Sequence, residues 1–305
     1  MSKLAITGIT GKSGMFLWKH LIADELNIKE LYPDGINLLS RTKDNLLKLP
    51  TENVKTYFFI GDLTDASVTD AFCDNVDTLL HIAGIHWSLP LVKSAVKGGV
   101  KRIILVHTTG IYSKYKAAGE EYRQIDAQIY QIAKDNKIAL TILRPTMIYG
   151  DVSDKNVVVF IKMVDKFKIM PVVNGAHYEL QPVHCSDLGK AYYDVLLHPE
   201  ICNNKDYILS GGKPIELRQM FNEIANNLGV KRKYISCPFF LAYFGAWLIY
   251  LLTFTKIDFR EKVQRLVEPR VYSHRDAKND FGYSPMSFEE GIVEEVKQYI
   301  EMNKK

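Results

Sequence analysis

Short apolar runs alternate with segments of helical character through the first half of the chain. The runs are apolar almost throughout, which is typical of parallel strands because helices cover both faces of such a sheet. Alternation of this kind predicts an α/β fold built on a doubly wound parallel sheet. The predicted strands are 3–8, 36–41, 54–62, 78–84, 102–108 and 140–145, and the predicted helices are 13–25, 66–72, 90–98 and 116–134.

The second half of the chain loses this regularity. Residues 178–200 and 206–229 each read as a strand followed by a helix, the latter closed by Gly229. We therefore predict two domains: residues 1–155 form a dinucleotide-binding domain, and residues 156–305 form mainly a smaller substrate domain. Within the second half, 176–200 is predicted to return to the sheet of the first domain.

A glycine-rich loop lies between the first predicted strand and the first predicted helix. Gly8, Gly11 and Gly14 in "TGITGKSG" follow G-x-x-G-x-x-G spacing. The first glycine permits a tight turn, the second lets the backbone approach a pyrophosphate, and the third lets the helix lie close to the strand. The free N–H groups at the helix start would face the phosphates, with Thr10 and Ser13 adding polar contacts. The loop therefore predicts a Rossmann-type dinucleotide site.

The end of the second strand indicates which dinucleotide binds. An NAD site usually has a carboxylate here for the ribose 2′-hydroxyl, but this chain has Ser40, Arg41 and Thr42. A guanidinium suits a 2′-phosphate, so Arg41 favours NADP, with NAD as the second choice. The alternative is that Arg41 is a solvated loop residue. Asp62 follows the third strand, where it can meet the adenine.

Composition excludes several other functions. The 305 residues carry a net charge of +4, and the one dense basic run is 231–233, so we predict no nucleic-acid partner. The four cysteines show neither CxxC nor metal spacing, which predicts reduced thiols and no metal site. The start of the chain lacks a long apolar core and a cleavage site. Together these features predict a cytoplasmic protein.

An ordered set of motifs resembles the NAD-dependent epimerase/dehydratase family, that is, the extended and atypical short-chain dehydrogenases/reductases. The set is "TGITGKSG", "GDLTD", "HIAG", "HTTGIY", "LTILRPTMIYG", "PVHCSDLGKAYYDVL", "YILSGGKPIELRQMF" and "FGYSPMSFEEGI". The resemblance implies a Rossmann-type doubly wound parallel sheet with a smaller C-terminal substrate domain. It also implies cofactor contacts from Gly8, Thr10, Gly11, Ser13, Gly14, Arg41, Asp62, Leu63, Ala83 and Thr108.

The resemblance further implies a catalytic Tyr and Lys at Y-x-x-x-K, with a Ser or Thr that orients the substrate oxygen. In this family the Lys charge lowers the Tyr pKa, and the Tyr exchanges a proton with a carbonyl or alcohol. The matching residues are Tyr112 and Lys116, with Thr109 or Thr108 as the hydroxyl residue.

The spacing around this pair departs from the family pattern. Thr109 and Tyr112 are three residues apart, where the family usually has a much longer interval. Aligning on "LRP" instead brings Tyr122, Arg123 or Asp126 near the Lys position. In the alternative interpretation, Tyr112 and Lys116 are ordinary residues at a helix start.

Residues 235–255 form an uncharged stretch of 21 residues. As one helix it would measure about 30 Å, the thickness of a bilayer core, although Pro238 and Gly245 interrupt it. One interpretation is a hydrophobic helix that covers the substrate pocket. The other is a peripheral membrane contact or a pocket for a lipid-like substrate.

Two functions follow from these features. The first is an NAD(P)-dependent oxidoreductase or epimerase/dehydratase that acts on a small molecule and uses the Tyr/Lys pair. The second is a catalytically reduced protein of the same fold that binds the dinucleotide or senses its redox state. A homodimer is one of the oligomeric states left open.

Overall fold

The computed structural model describes residues 2–51, 54–115 and 117–303. The strands are β1 (Leu4–Thr7), β2 (Ile36–Ser40), β3 (Thr56–Ile60), β4 (Thr78–His81), β5 (Arg102–Val106), β6 (Ala139–Pro145), β7 (Ile148–Tyr149), β8 (Ile169–Val173), β9 (Glu179–Leu180), β10 (Val183–His184), β11 (Asp206–Leu209), β12 (Ile215–Glu216) and β13 (Lys233–Cys237). The α-helices are α1 (Lys12–Ala23), α2 (Glu25–Leu31), α3 (Lys43–Leu47), α4 (Ala66–Cys73), α5 (Ser88–Lys97), α6 (Gly119–Asp135), α7 (Val157–Lys166), α8 (Cys185–Leu197), α9 (Pro199–Cys202), α10 (Leu217–Asn227), α11 (Phe239–Leu252), α12 (Arg260–Leu266), α13 (Arg275–Phe281) and α14 (Phe288–Asn303). Short 3-10 helices are Ile85–Trp87, Thr109–Tyr112 and Asn174–Ala176.

Within the described ranges, seven strands form one sheet in the order β11-β6-β5-β4-β1-β2-β3. Each neighbouring pair is parallel; β1, for example, pairs Leu4 with Ile36 on one side and with Thr78 on the other. All four residues of β1 are buried, as expected for a strand covered on both faces. The predicted doubly wound α/β fold is confirmed, and each of the six predicted strands is present in the sheet.

The strand order reverses at β1, and this reversal places the site. The chain moves from β1 outwards to β2 and β3, then returns to β4 on the other side of β1. The loops that leave the carboxyl ends of β1 and β4 therefore diverge and open a crevice between them. Ligands of open α/β sheets bind at such a switch point.

Helices cover both faces of the sheet at close range. On one face α8 lies against α1, and a Cβ atom at Gly189 would be only 2.4 Å from the Cβ of Phe16. A glycine is therefore required where these two helices meet. On the same side, the buried Arg102 donates hydrogen bonds to the carbonyls of Val195 and Leu196 at the end of α8. Those bonds satisfy carbonyl groups that a helix end leaves without partners.

A separate apolar core forms around α7, α10 and α14 in the C-terminal half. Beside it, β8 and β13 make a separate parallel pair. β11, however, lies in the main sheet next to β6, so the C-terminal half also contributes to that sheet. The division between residues 155 and 156 stays a prediction.

Candidate active site

The glycine loop forms a close turn between β1 and α1. Gly8 has a φ of +75°, and a Cβ atom there would be 2.8 Å from the amide nitrogen of Ala83. At Gly14 a Cβ atom would be 2.3 Å from the carbonyl oxygen of Gly8. Neither position has room for a side chain, which is what the tight turn at Gly8 and the close packing of α1 against β1 at Gly14 require. Gly11 caps α1 without a side-chain hydrogen bond, so the N–H groups of the first turn are available to an anion.

A cavity of about 720 Å³ opens beside this loop. Of the predicted cofactor contacts, Gly8, Thr10, Gly11, Arg41, Asp62, Leu63 and Ala83 line it. The other three lie elsewhere: Ser13 is buried in the first turn of α1, Gly14 lies against Gly8, and Thr108 lines a second cavity. The volume of the cavity, the close turn at the glycines and the free N–H groups at the start of α1 fit a dinucleotide.

The far end of this cavity is polar. Ser40, the last residue of β2, lines it together with Arg41, Thr42 and Asn45. Asp62 accepts hydrogen bonds from the backbone and the hydroxyl of Thr64, and these bonds, aided by the charge of Arg41, hold the pKa of Asp62 below its usual value. Sequence reasoning missed Thr7, Leu39, Asn45 and Trp87 as lining residues, since none of them belongs to a motif with a known spacing.

His81 fixes the strand ends beneath the cavity. Its Nδ1 lies 2.6 Å from Thr7 Oγ1, and its Nε2 lies 3.0 Å from the carbonyl oxygen of Gly84. A carbonyl only accepts, so Nε2 carries the hydrogen and Nδ1 accepts from Thr7. Burial lowers the pKa of His81 to about 4, which keeps the ring neutral. This residue therefore holds β1 and β4 in place.

A second cavity, of about 400 Å³, lies beyond the loop 83–87. Thr108 and Thr109 from the end of β5 line it, and the C-terminal half contributes Gln181, Arg265 and Arg270. Thr108 Oγ1 accepts a hydrogen bond from the Gly110 amide, and a hydroxyl that accepts can still donate. The cavity is thus bounded by both halves of the chain, where a small substrate would meet the cofactor.

The structure does not place Tyr112 in either cavity. Tyr112 ends the 3-10 helix Thr109–Tyr112. It is 49% exposed, and its ring is tilted against that of Tyr272 with 5.8 Å between the centroids. Lys116 lies outside the described residues. The predicted helix 116–134 begins only at Gly119, so Tyr112 is not part of that helix. Thr109, by contrast, lines the second cavity and donates to the carbonyl of Pro145.

Tyr122, in the first turn of α6, does line the second cavity. It is 9% exposed, and its hydroxyl lies 3.5 Å from Nε2 of His86, whose Nδ1 contacts Glu121 at 2.9 Å. Burial raises the pKa of Tyr122 above its ordinary value, so the phenol stays protonated at neutral pH. The signal that marks it in the sequence is its spacing of four residues from Asp126, which is the Y-x-x-x-K spacing with Asp in place of Lys.

A buried ionic network surrounds Asp126, which lies four residues after Tyr122, where the Y-x-x-x-K motif has its lysine. Asp126 lies 2.6 Å from Nδ1 of His107 and 2.7 Å from Nη1 of Arg144. Arg144 also contacts Asp206 through its other terminal nitrogen, Nη2. Because a carboxylate accepts, His107 donates through Nδ1 and accepts from Ser88 through Nε2. Burial lowers the pKa of His107. Burial alone would raise the pKa of Asp126, but the bond from His107 and the charge of Arg144 bring it below its usual value.

No family model matches the chain. Among sequence relatives, the 2-alkyl-3-oxoalkanoate reductase of Stenotrophomonas maltophilia (strain K279a) is 26% identical over 170 residues, which cover 52% of this chain and 51% of that protein. The UDP-glucose 4-epimerase of Vibrio cholerae is 21% identical over an alignment of 326 positions, which covers 98% of this chain and 96% of that protein. The chain thus spans about half the length of the reductase and nearly all of the epimerase.

Solved structures share the whole fold. The crystal structure of a dTDP-glucose 4,6-dehydratase from Streptomyces venezuelae, with NAD bound, matches with a TM-score of 0.73 at 16% identity and covers 99% of this chain and 98% of that one. At that identity the likeness establishes the fold alone. The resemblance predicted from the sequence is confirmed as a likeness: the chain is similar in sequence to a reductase and to an epimerase, and in fold to a dehydratase.

Proposed function

We propose that the chain is an NAD(P)-dependent oxidoreductase or epimerase/dehydratase that acts on a small molecule. The observation that carries this proposal is the arrangement of two adjoining cavities at the switch point of the sheet, one beside the glycine loop and one lined by residues of both halves. When bound, the nicotinamide ring would supply or accept the hydride. The relatives named above are reductases, epimerases and dehydratases, which supports the same class.

NADP is the dinucleotide that we propose, with NAD as the second choice. Arg41, Ser40 and Thr42 line the ribose end of the cavity, where a carboxylate selective for NAD would otherwise lie. The dehydratase with the same fold holds NAD, so the choice depends on Arg41.

Arg41→Ala is expected to weaken NADP binding by about 10- to 100-fold, the effect of losing a hydrogen bond to a charged group, and to leave NAD binding nearly unchanged. Fluorescence titration of the wild type and the variant with both dinucleotides measures this. Lys43→Ala, which removes a nearby cation outside the cavity lining, is the matched control. A wild type that prefers NAD would contradict the role of Arg41.

The substrate that we propose carries an anionic group, such as the diphosphate of a sugar nucleotide. Arg265 and Arg270 both line the second cavity, and the buried Nε atom of each has no hydrogen-bond partner within the described ranges. Burial, together with the neighbouring charge of Arg265, lowers the pKa of Arg270 to about 10. An anion between the two guanidinium groups would relieve both the desolvation and the repulsion. One solved structure of this fold is an epimerase with UDP-glucose.

Arg270→Ala is expected to weaken binding of UDP-glucose to the NADP-saturated protein by about tenfold or more, because a charge-assisted bond is lost. Isothermal titration calorimetry gives the affinity. Arg218→Ala removes an arginine that lies over the ring of Tyr234, outside the cavity lining, and serves as control. Equal affinities of the two variants would contradict an anion site at Arg270.

A tyrosine is the proton donor that we propose, and two residues are candidates. Tyr112, with Lys116 and Thr109, is the pair predicted from the family motif and stays a prediction. Tyr122 is favoured by its position in the lining of the second cavity, close to Thr108. Its raised pKa keeps the phenol protonated, as a proton donor must be, but makes it a weaker acid than a tyrosine beside a lysine.

The second candidate function is a dinucleotide-binding or redox-sensing protein with reduced catalysis. The observation that favours it is Asp126, which lies one helical turn after Tyr122 and carries a negative charge instead of the positive charge of a lysine. A carboxylate cannot lower the pKa of a nearby phenol as an ammonium does. Dinucleotide binding is expected under both functions, whereas turnover is expected only under the first.

A further inference from the structure

We propose that α11 inserts into the headgroup region of a membrane that contains anionic lipids. The prediction of one helix over 235–255 is wrong at both ends: residues 235–237 belong to β13, and the helix runs only from Phe239 to Leu252. Pro238 is the N-cap residue of α11, with an extended backbone just before the first turn. None of the residues that line the two cavities belongs to α11.

The apolar side chains of α11 are largely exposed. Eight large apolar residues of its fourteen are exposed, and we call them the α11 apolar surface: Phe240, Leu241, Phe244, Trp247, Leu248, Ile249, Leu251 and Leu252. The exposed fraction reaches 68% at Phe240 and 70% at Leu252, and Phe254 just beyond the helix is 85% exposed. Ala246 is the one buried residue of the helix. An exposed apolar patch of this size marks an interaction site.

The breadth of this surface favours lipid over a protein partner. At 3.6 residues per turn, the eight side chains spread over about 200° of the helix circumference. A helix that lies against protein typically uses a stripe of about 100°. Acyl chains and headgroups can surround the wider surface, because lipids adapt to the shape of an inserted helix.

The length of α11 limits how it can contact a membrane. Fourteen residues measure about 21 Å, less than the roughly 30 Å of a bilayer core. Within the described ranges, no helix combines the length and the hydrophobicity that crossing a membrane needs. The helix would therefore lie in the plane of the interface.

Charge around the helix favours an anionic lipid surface. From 224 to 257 the chain contains no Asp or Glu, and it has exposed lysines on both sides of α11: Lys231 and Lys233 before it and Lys256 after it. Basic residues beside an interfacial helix are attracted to anionic headgroups. A second copy of this chain would bring the same positive charges to the interface, which disfavours association through α11.

The contacts of α11 connect the proposed surface to the rest of the molecule. Arg260 at the start of α12 lies over the ring of Tyr250, 3.8 Å from its centroid, and forms an ion pair with Asp258. The same helix α12 carries Arg265, which lines the second cavity. The inserted helix would thus be connected through α12 to the part of the molecule that contains the second cavity.

Sedimentation of the full chain with vesicles tests the proposal. The wild type is expected to sediment with phosphatidylcholine vesicles that contain phosphatidylglycerol, and much less with phosphatidylcholine alone. A Phe244→Asp/Leu248→Asp double variant should lose at least tenfold in vesicle affinity, since both side chains lie on one face of the apolar surface. Leu26→Asp, at an exposed leucine on α2, is the matched control and should bind as the wild type does. Titration with NADP shows that each variant is folded.

Two results would overturn the inference. The first is equal binding of the wild type to both kinds of vesicle, or to neither. The second is a lipid-free dimer, detected by light scattering after size-exclusion chromatography, that the double variant converts to a monomer while vesicle binding is absent. That result would assign the α11 apolar surface to a contact between two copies of the chain.

Discussion

Tyr122→Phe is expected to lower NAD(P)-linked turnover by about 10²- to 10⁴-fold, the usual contribution of a positioned general acid or base. The substitution removes only the hydroxyl that lies beside His86 and lines the second cavity. The ring stays, so its contacts in the apolar core with α5 and α6 are kept. Dinucleotide affinity should remain close to that of the wild type, because Tyr122 does not line the cavity beside the glycine loop.

The absorbance of the reduced nicotinamide reports turnover of 3-oxo acids, which consumes the cofactor. Chromatographic analysis of the products reports turnover of UDP-sugars, because epimerisation or dehydration regenerates the cofactor and leaves the absorbance unchanged. Tyr112→Phe is the informative partner variant, since it removes the same atom from the tyrosine that the family motif predicts. Loss of turnover in Tyr112→Phe alone would return the catalytic role to Tyr112. A wild type that binds the dinucleotide and turns over none of these substrates would favour the binding or redox-sensing function.

Asp126→Ala is expected to destabilise the protein by about 3–5 kcal/mol, because it leaves the buried Arg144 without one of its two carboxylates and His107 without its acceptor. The guanidinium of Arg144 is almost fully buried, and the charges of Asp126 and Asp206 raise its pKa although burial opposes them. Urea unfolding followed by circular dichroism measures the free energy of unfolding.

The comparison for this variant is Asp206→Ala. Asp206 binds the same arginine but is partly exposed, so we expect a smaller loss, of about 1 kcal/mol. A loss in Asp126→Ala no greater than in Asp206→Ala would show that the buried network contributes little.

The same network predicts a dependence of stability on pH. The pKa values of His107 and Asp126 are both lowered in the folded protein, so the unfolded chain binds more protons than the folded one as the pH falls. The stabilisation is fully present above the ordinary pKa of each group. It is lost on acidification, first below about 6.5 for His107 and then below about 4 for Asp126.

Much of the sheet could be predicted from local sequence. Strands β1, β2, β4 and β5 are buried along their whole length, so each reads as a largely apolar run that local composition reveals. The seventh strand, β11, could not be assigned to the sheet in this way. It pairs with β6 across more than 60 positions of sequence, and no local pattern specifies a partner at that distance.

The glycine loop and the tyrosine of the site also differ in how far the local sequence specifies them. The dinucleotide loop is local, since Gly8, Gly11 and Gly14 lie within seven residues and their spacing reports their geometry. The tyrosine proposed as the proton donor is not specified locally in this sense. Tyr112 matches the motif, but the helix that would place it starts at Gly119, and this start brings Tyr122 to the cavity instead.

By itself, the sequence determined the α/β class, the parallel strands of the first half and the glycine turn, because each depends on residue types over short stretches of chain. Only the tertiary structure decided which side chains meet at the second cavity and which face of α11 is left exposed. Those outcomes depend on where distant segments come together: Arg265 and Arg270 approach Tyr122 only when the C-terminal half folds over the sheet. The burial and the pKa values of these side chains follow from that arrangement, and the spacing of residues along the sequence does not specify it.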